Sequence, residues 1–185
     1  PYNVAPWYYC GSETLNAVPA DMTDWILLEL LDADNNMAVA GRRAALLKTD
    51  GSVWDTDGTQ GVKFNNLPNG IYYLAVRHRN HLAVISSMPA DVSGAVVYNF
   101  TQSAAQALGP EQLKPVGNGA FALYAGDINA NGIINYTDFN LYMPQASLTN
   151  VYAPADVNMD KVVNTLDFDF FRPNISRLGM SLVRY

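Results

Sequence analysis

Two stretches near the C-terminus, GDINANGIINYTDF at 126–139 and ADVNMDKVVNTLDF at 155–168, carry the pattern that decides how this part of the chain folds. Asp127 aligns with Asp156 at an offset of 29 residues, and the same offset aligns many further positions. The aligned pairs include Asn129–Asn158, Asn131–Asp160, Asn135–Asn164, Asp138–Asp167, Phe139–Phe168, Pro144–Pro173 and Ser147–Ser176. So many matches at one offset indicate an internal duplication.

Each copy places oxygen-bearing side chains at loop positions 1, 3, 5, 9 and 12, which is the spacing of a calcium-binding loop. Calcium takes roughly six to eight oxygen ligands, and a tight loop with donors at alternate residues gathers them around one point. Position 7 supplies a main-chain carbonyl, so an apolar side chain fits there. The predicted ligands are Asp127, Asn129, Asn131, Ile133, Asn135 and Asp138, and then Asp156, Asn158, Asp160, Val162, Asn164 and Asp167. We therefore predict two structural Ca²⁺ ions.

Three further expectations follow from the duplication. The apolar residues at position 8, Ile134 and Val163, should pair with each other as two short strands and make the two loops one folding unit. A small core should lie beneath the loops, built from Phe139, Phe168, Phe170 and Phe171. The α-helices that follow the loops should be short, because Pro144 and Pro173 interrupt them.

The two loops differ at position 6, where Gly132 is matched by Lys161. The turn favours a left-handed backbone there, which costs a residue with a side chain on the order of 1 kcal/mol. The second loop has three carboxylates and the first has two. Charge therefore favours the second site and backbone strain opposes it, so the order of their affinities stays open.

The first copy, from Gly126 to Asp138, matches the phrase Gly-Asp-x-Asn-x-(Asp/Asn)-Gly-x-(Ile/Val)-Asn-x-x-Asp and resembles the bacterial dockerin module. The resemblance covers about residues 120–180. Asp at position 12, where EF-hands favour Glu, and the absence of room for an entering helix before either loop fit a dockerin better. The resemblance implies a cohesin-type partner, bound in part by loop positions 10 and 11: Tyr136, Thr137, Thr165 and Leu166.

The first part of the chain is β-like. The apolar run Trp25–Leu31 predicts a central strand. Further strands are predicted over 37–48, 52–54, 61–67, 71–76, 82–85 and 95–100, with Asp50-Gly51 as a hairpin turn. The segment from Val62 to Leu74, with its Leu-Pro-Asn-Gly turn, resembles transthyretin-like and carboxypeptidase-regulatory-like β-sandwiches, a type of Ig-like module.

The predicted fold is mainly β with a small α part. An antiparallel β-sandwich at 1–118 is followed by a dockerin-like calcium-binding loop–helix pair at 119–185, with the boundary at Gly117-Asn118-Gly119.

Composition restricts the class of partner. The net charge is −6 and basic residues are few, which argues against nucleic acid. No apolar run approaches the ~18 residues that span a bilayer. Charged residues make up only 15% of the chain, which suits an exported bacterial protein, secreted or on the cell surface, where calcium is near millimolar. The opening Pro1-Tyr2-Asn3 is read as the start of a piece of a longer protein.

Other polar clusters are interpreted as structural. His78 and His81 stand beside Arg77 and Arg79, and we expect them to be solvent-facing strand residues rather than a metal or acid–base site. Two of Asp50, Asp55 and Asp57 could serve as a carboxylate pair for glycoside hydrolysis, but Gly51 and Gly58 beside them favour turns. The sequence contains no nucleophile triad, phosphate loop or zinc cluster, so the chain is not expected to be an enzyme.

Three functions remain open at this stage. The first is an adaptor that attaches a larger secreted protein to a cohesin-like receptor. The second is a structural segment of a calcium-rigidified surface adhesin or filament, which self-associates. The third is a carbohydrate-binding accessory module for a polysaccharide, using aromatic side chains such as Trp7, Tyr8, Trp54 or Tyr72.

Overall fold

The computed structural model describes residues 2–183, and the protein is mainly β with two short α-helices. The strands are β1 (Met22–Asp32), β2 (Val39–Lys48), β3 (Val53–Trp54), β4 (Ile71–His78), β5 (His81–Ile85), β6 (Ala90–Asp91), β7 (Lys114–Gly117) and β8 (Ala120–Ala122). The helices are α1 (Tyr136–Tyr142) and α2 (Thr165–Phe171). Short 3-10 turns span Ala104–Gln106, Met143–Gln145 and Arg172–Asn174. No helix within residues 2–183 is long and apolar enough to cross a bilayer.

β1 is the central strand, as its apolar run predicts. It pairs antiparallel with β2 on one side and with β4 on the other, in a sheet of order β3-β2-β1-β4-β5 with β6 beside β4. Both faces of the strand are covered, so neighbouring residues such as Leu27 and Leu28 are both buried. The predicted Asp50–Gly51 turn is confirmed, since it connects β2 to β3.

The predicted second layer of the sandwich is built from irregular segments rather than from a second large sheet. The prediction of a strand at 61–67 is wrong, because this segment makes only an isolated bridge, between Gly61 and Trp54. Val62 and Phe64 still pack on the sheet. The alternating apolar pattern therefore arises because one side of an irregular segment is buried. The strand predicted at 95–100 is also wrong, because that segment has no ladder partner in the described chain and Val97 is 95% exposed.

The opposite face of the sheet is covered by the two ends of the described chain. Tyr2 and Trp7 pack against Leu27. From the other end, Val183 returns to the core cluster that contains Leu31. The β7–β8 hairpin places its turn at residues 118–119, so the predicted domain boundary falls inside a hairpin, and the two parts share core contacts.

The duplication is visible as two equal loop–helix units, each ending in a 3-10 turn with a proline. The expected pairing of Ile134 with Val163 is wrong. Ile134 instead pairs with the segment after α2, where its carbonyl accepts from Ser176 N at 2.8 Å. Val163 pairs with the segment after α1, where its carbonyl accepts from Ser147 N at 2.7 Å. Each copy thus completes the other, because the chain after one helix crosses to the opposite loop.

Candidate metal centre

Main-chain amides hold the side chains of the first loop at the predicted ligand positions. Asp127, at position 1, accepts hydrogen bonds from Asn131 N at 3.0 Å and Gly132 N at 2.9 Å. Asn129 Oδ1 accepts from Asn131 N at 3.0 Å, and Asn131 Oδ1 accepts from Ile133 N at 3.0 Å. Each of these oxygens has a second lone pair, so it can accept a hydrogen bond from an amide and still coordinate a cation.

The second loop repeats these hydrogen bonds position by position. Asp156 accepts from Asp160 N at 3.1 Å and from Lys161 N at 3.0 Å. Asn158 Oδ1 accepts from Asp160 N at 3.0 Å, and Asp160 Oδ1 accepts from Val162 N at 2.8 Å. The sequence alignment therefore corresponds to one local backbone structure that occurs twice.

The carboxylates at position 12, Asp138 and Asp167, join the start of each helix to its loop. One oxygen accepts from the amide of Asn135 or Asn164 at position 9, at 2.9 and 2.8 Å. The other accepts from the amide at position 3, at 3.1 and 3.2 Å. Asn135 and Asn164 cap α1 and α2 in return, which makes a reciprocal capping box in each copy.

The carboxylates at positions 1 and 12 of each loop are buried together. Asp127, Asp138, Asp156 and Asp167 are all at most 2% exposed. Burial, together with the nearby charge of Asp138, raises the pKa of Asp127 to about 7. Burial also raises the pKa of Asp156; the Asp167 charge adds to this effect, whereas Arg79 opposes it. Each loop therefore gathers like charges whose ionised forms need a cation nearby.

The oxygen atoms in these loops fit a hard cation. Within residues 2–183 no group of three or more His, Cys, Asp or Glu side chains is arranged to hold a metal, so amide and main-chain oxygens would complete each shell. The carbonyls of Ile133 and Val162, at position 7, accept none of the backbone hydrogen bonds found in the described chain. Carboxylate, amide and carbonyl oxygens without nitrogen or sulfur suit calcium better than zinc or copper.

Position 6 has the backbone that the sequence predicts. Gly132 has φ of +82° and Lys161 has φ of +70°, so the lysine is held in the left-handed region. Position 4 was not anticipated, since Ala130 and Met159 also have positive φ, at +53° and +65°. Nothing about Ala or Met signals this conformation, which the loop imposes through its hydrogen bonds.

The predicted partner-binding residues lie on the surface. Tyr136 is 71% and Leu166 is 54% exposed, and Thr137 and Thr165 are exposed beside them. The predicted aromatic core is confirmed for Phe139, Phe168 and Phe171 but wrong for Phe170, which is 52% exposed. Phe170 aligns with Leu141, which is also exposed, so the two helices present apolar side chains at matching positions.

The interpretation of the Arg-His cluster is wrong. His78 and Arg79 are buried, and so is the next residue, Asn80. Arg79 Nε donates to Asp24 Oδ2 at 2.8 Å. His78 Nε2 lies 3.2 Å from the same oxygen, although this contact is not oriented as a hydrogen bond. One feature of the sequence points to this site, namely a tight basic cluster in a chain with few charges. Asp24, the partner of Arg79, is distant in sequence.

The remaining polar and aromatic candidates have structural roles. Asp50 and Asp57 cap exposed turns, so the turn interpretation is confirmed for these two, whereas Asp55 is buried and pairs with Arg43 at 2.8 Å. Among the aromatics suggested for carbohydrate, Tyr72 is buried and donates to the carbonyl of Pro68 at 2.9 Å. Tyr8, 70% exposed, remains accessible.

Comparison with known proteins found distant structural similarities. No family model and no curated protein matches the sequence. Two crystal structures of a type II cohesin–X-dockerin complex from Acetivibrio cellulolyticus, an N-terminal and a C-terminal interface mutant, each contain a chain similar to this one. The identities are 13% and 14%, each match covers 83% of this chain and 82% of the other, and both TM-scores are 0.45.

Proposed function

We propose that this chain is a non-catalytic calcium-binding module of a secreted or cell-surface bacterial protein, folded around two Ca²⁺ ions and used for protein–protein attachment of the cohesin–dockerin type. One observation carries the calcium part. Each loop buries a pair of carboxylates, Asp127 with Asp138 and Asp156 with Asp167, and both loops use the same hydrogen bonds. Two buried like charges are costly unless a cation or a proton offsets them.

The attachment part is supported by the surface of the two helices. Tyr136 and Leu166 begin these faces, and Leu141 and Phe170 lie at equivalent positions further along. A large apolar side chain that stays exposed at equivalent places in two copies indicates a surface for a partner. Calcium would act on this surface indirectly, because the position-12 carboxylate that closes each loop also lies in the first turn of the helix.

A second candidate is a rigid structural segment whose calcium ions stiffen the junction between the sheet and the loops. The observation that favours it is the buried contact between Arg79 and the segment before the second loop. In this case the helix faces would bind another copy of the chain. Association that depends on calcium but needs no other protein would distinguish it from the adaptor function.

Calorimetric titration of calcium into chelator-treated protein tests the calcium part. The parent should bind two equivalents, and Asp127→Asn and Asp156→Asn should each lose one. Saturation at 100 to 1,000 times the dissociation constant should stabilise the fold by roughly 3–4 kcal/mol for each ion bound. Asp57→Asn is the matched control, since Asp57 caps an exposed turn of the first part. Absence of binding at millimolar calcium would exclude the proposal.

The attachment part is tested by mixing the calcium-loaded chain with purified type II cohesin modules. Binding should disappear in excess chelator and in the variant Tyr136→Ser with Leu166→Ser, which keeps both loops intact. If the chain binds two calcium ions but no cohesin, and sediments as a calcium-dependent oligomer, the structural-segment function replaces the adaptor function.

A further inference from the structure

The turn that connects β4 to β5 is buried, which is unusual because hairpin tips normally lie on the surface. His78, Arg79 and Asn80 are 3%, 6% and 0% exposed. We call residues 78–81 the hairpin tip. The segments that cover it lead into the two candidate calcium loops, so the sheet is in direct contact with the chain just before each position 1.

The hairpin tip holds the first loop through main-chain atoms. The carbonyl of Asn80 accepts from Gly126 N at 2.9 Å, one residue before Asp127. Two residues along β5, Leu82 N donates to the carbonyl of Tyr124 at 2.9 Å. Replacing a side chain of the hairpin tip leaves these bonds available.

The hairpin tip holds the second loop through side chains. Asn80 Nδ2 donates to the carbonyls of Pro154 and Asp156, both at 2.8 Å. The guanidinium of Arg79 donates to the carbonyl of Ala153 and, at 3.2 Å, to that of Asp156. Its Nη2 atom also lies 3.9 Å from Asp156 Oδ2. Position 1 of the second loop is therefore held from the sheet at its carbonyl and faced by a positive charge.

Both side chains of the hairpin tip are themselves oriented. Arg79 is fixed by Asp24 on β1 and stacks over the ring of Tyr152, with its carbon Cζ 4.3 Å from the ring centre. The Tyr152 hydroxyl donates to the other oxygen of Asp24 at 2.7 Å. Asn80 Oδ1 lies 2.7 Å from His81 Nδ1, so the amide nitrogen of Asn80 faces the loop. Because Arg79 and Asn80 are already oriented, they hold the loop without the entropy cost of ordering their own side chains.

We propose that Arg79 and Asn80 are positioning residues for calcium in the second loop, and that they supply from the sheet the support that an entering helix supplies in an EF-hand. This inference rests on the proposed calcium function. It gives the second loop, which follows Pro154 and an irregular segment, a support that its own neighbouring residues do not supply. Because coupling is reciprocal, calcium in the second loop also stabilises the sheet.

Calcium titration of Asn80→Ala tests the proposal. Two buried carbonyls lose a donor, so we expect the second site to weaken about tenfold. The first site should stay within about twofold, because its tether is the Asn80 carbonyl, which the substitution keeps. Asp127→Asn and Asp156→Asn backgrounds assign each affinity to its loop. Arg79→Lys is the second variant: it keeps the charge but loses the forked geometry, and it should also weaken the second site selectively.

Arg43→Met is the matched control, because it removes the ion pair between β2 and the buried Asp55, whose hydrogen-bond partners Arg43 and Lys63 lie outside both loops. It should lower the stability of the protein without changing the ratio of the two affinities. Unchanged second-site affinity in both Asn80→Ala and Arg79→Lys overturns the positioning role. Equal weakening of both sites, as a general loss of stability would produce, overturns it too. A parent that binds no calcium instead defeats the proposed function itself.

Discussion

The two loop–helix copies share one internal geometry but depend on different support. Within the loops, positions 1, 3, 5, 9 and 12 make the same hydrogen bonds in both copies, with distances that agree within a few tenths of an ångström. Before the loops, the first copy continues a main-chain ladder with β5, whereas the second is held by the side chains of Arg79 and Asn80. The geometry of the ligands is thus local, and the support is tertiary.

A second difference concerns charge. In the first loop, burial and the nearby charge of Asp138 raise the pKa of Asp127 to about 7. The second loop has one more carboxylate, Asp160, but Arg79 stands 3.9 Å from Asp156. The extra negative charge of the second copy is therefore offset from the sheet, and charge count alone does not rank the two sites.

Substitution of the residue before position 1 should have the largest effect, and it should differ between the two copies. Gly126 has φ of +118°, and a Cβ built there would lie 2.6 Å from Phe171 Cδ2. We expect Gly126→Ala to lower the free energy of unfolding by about 2–5 kcal/mol, from backbone strain and overpacking together. The equivalent Ala155 is buried without positive φ, so Ala155→Gly should cost only about 1 kcal/mol.

Urea unfolding of both variants in saturating calcium measures this difference. Equal effects in the two copies would show that the space and backbone at this position do not distinguish them. A Gly126→Ala variant as stable as the parent would contradict the packing of Phe171 against the first loop.

The pH dependence of the calcium-free protein is the next largest expected effect. The pKa of Asp127 is raised to about 7 in the folded state by burial and by the Asp138 charge. The folded state therefore holds a proton that the unfolded state has released, and the free energy of unfolding falls as pH rises from about 4 to about 7. Between pH 5 and pH 8 the loss should be on the order of 3 kcal/mol in chelator.

Asp127→Asn should remove most of this pH dependence. Asp156→Asn should remove less, because Arg79 lowers the pKa of Asp156 while burial raises it. Saturating calcium should reverse the trend, since the metal needs the ionised carboxylates. Chemical unfolding at a series of pH values, with and without chelator, checks the sign; a calcium-free protein more stable at pH 8 than at pH 5 would contradict it.

Substitution at position 6 should have the smallest of these effects, and it tests the one backbone position at which the two loops differ between glycine and lysine. Lys161→Gly should raise the free energy of unfolding by about 0.5–1 kcal/mol, because relief of the left-handed strain exceeds the entropy cost of glycine. Lys161→Ala separates charge from backbone, since it removes the ammonium but keeps the Cβ. If Lys161→Ala stabilises the protein as much as Lys161→Gly does, charge rather than backbone strain distinguishes the two loops.

The parts predicted well from sequence are those in which cause and effect are close along the chain. The central strand β1 follows from one apolar run, and the hairpin turn follows from Asp50-Gly51. The left-handed backbone at Lys161 follows from loop spacing. The predictions that failed needed knowledge of a partner segment. Strands at 61–67 and 95–100 had suitable patterns but no ladder to join, and Ile134 pairs with the segment after α2 rather than with Val163.

By itself, the sequence determined that a loop–helix unit occurs twice, with its oxygen-bearing residues in order, because side chains a few residues apart hydrogen-bond to neighbouring amides whatever surrounds them. Only the tertiary structure decided what supports each loop. Arg79, Asn80 and Asp24 act at the second loop because the sheet brings residues about 75 positions apart into contact. Such contacts depend on how whole segments pack, and one sequence carries no local sign of them beyond a cluster of charge in an unexpected place.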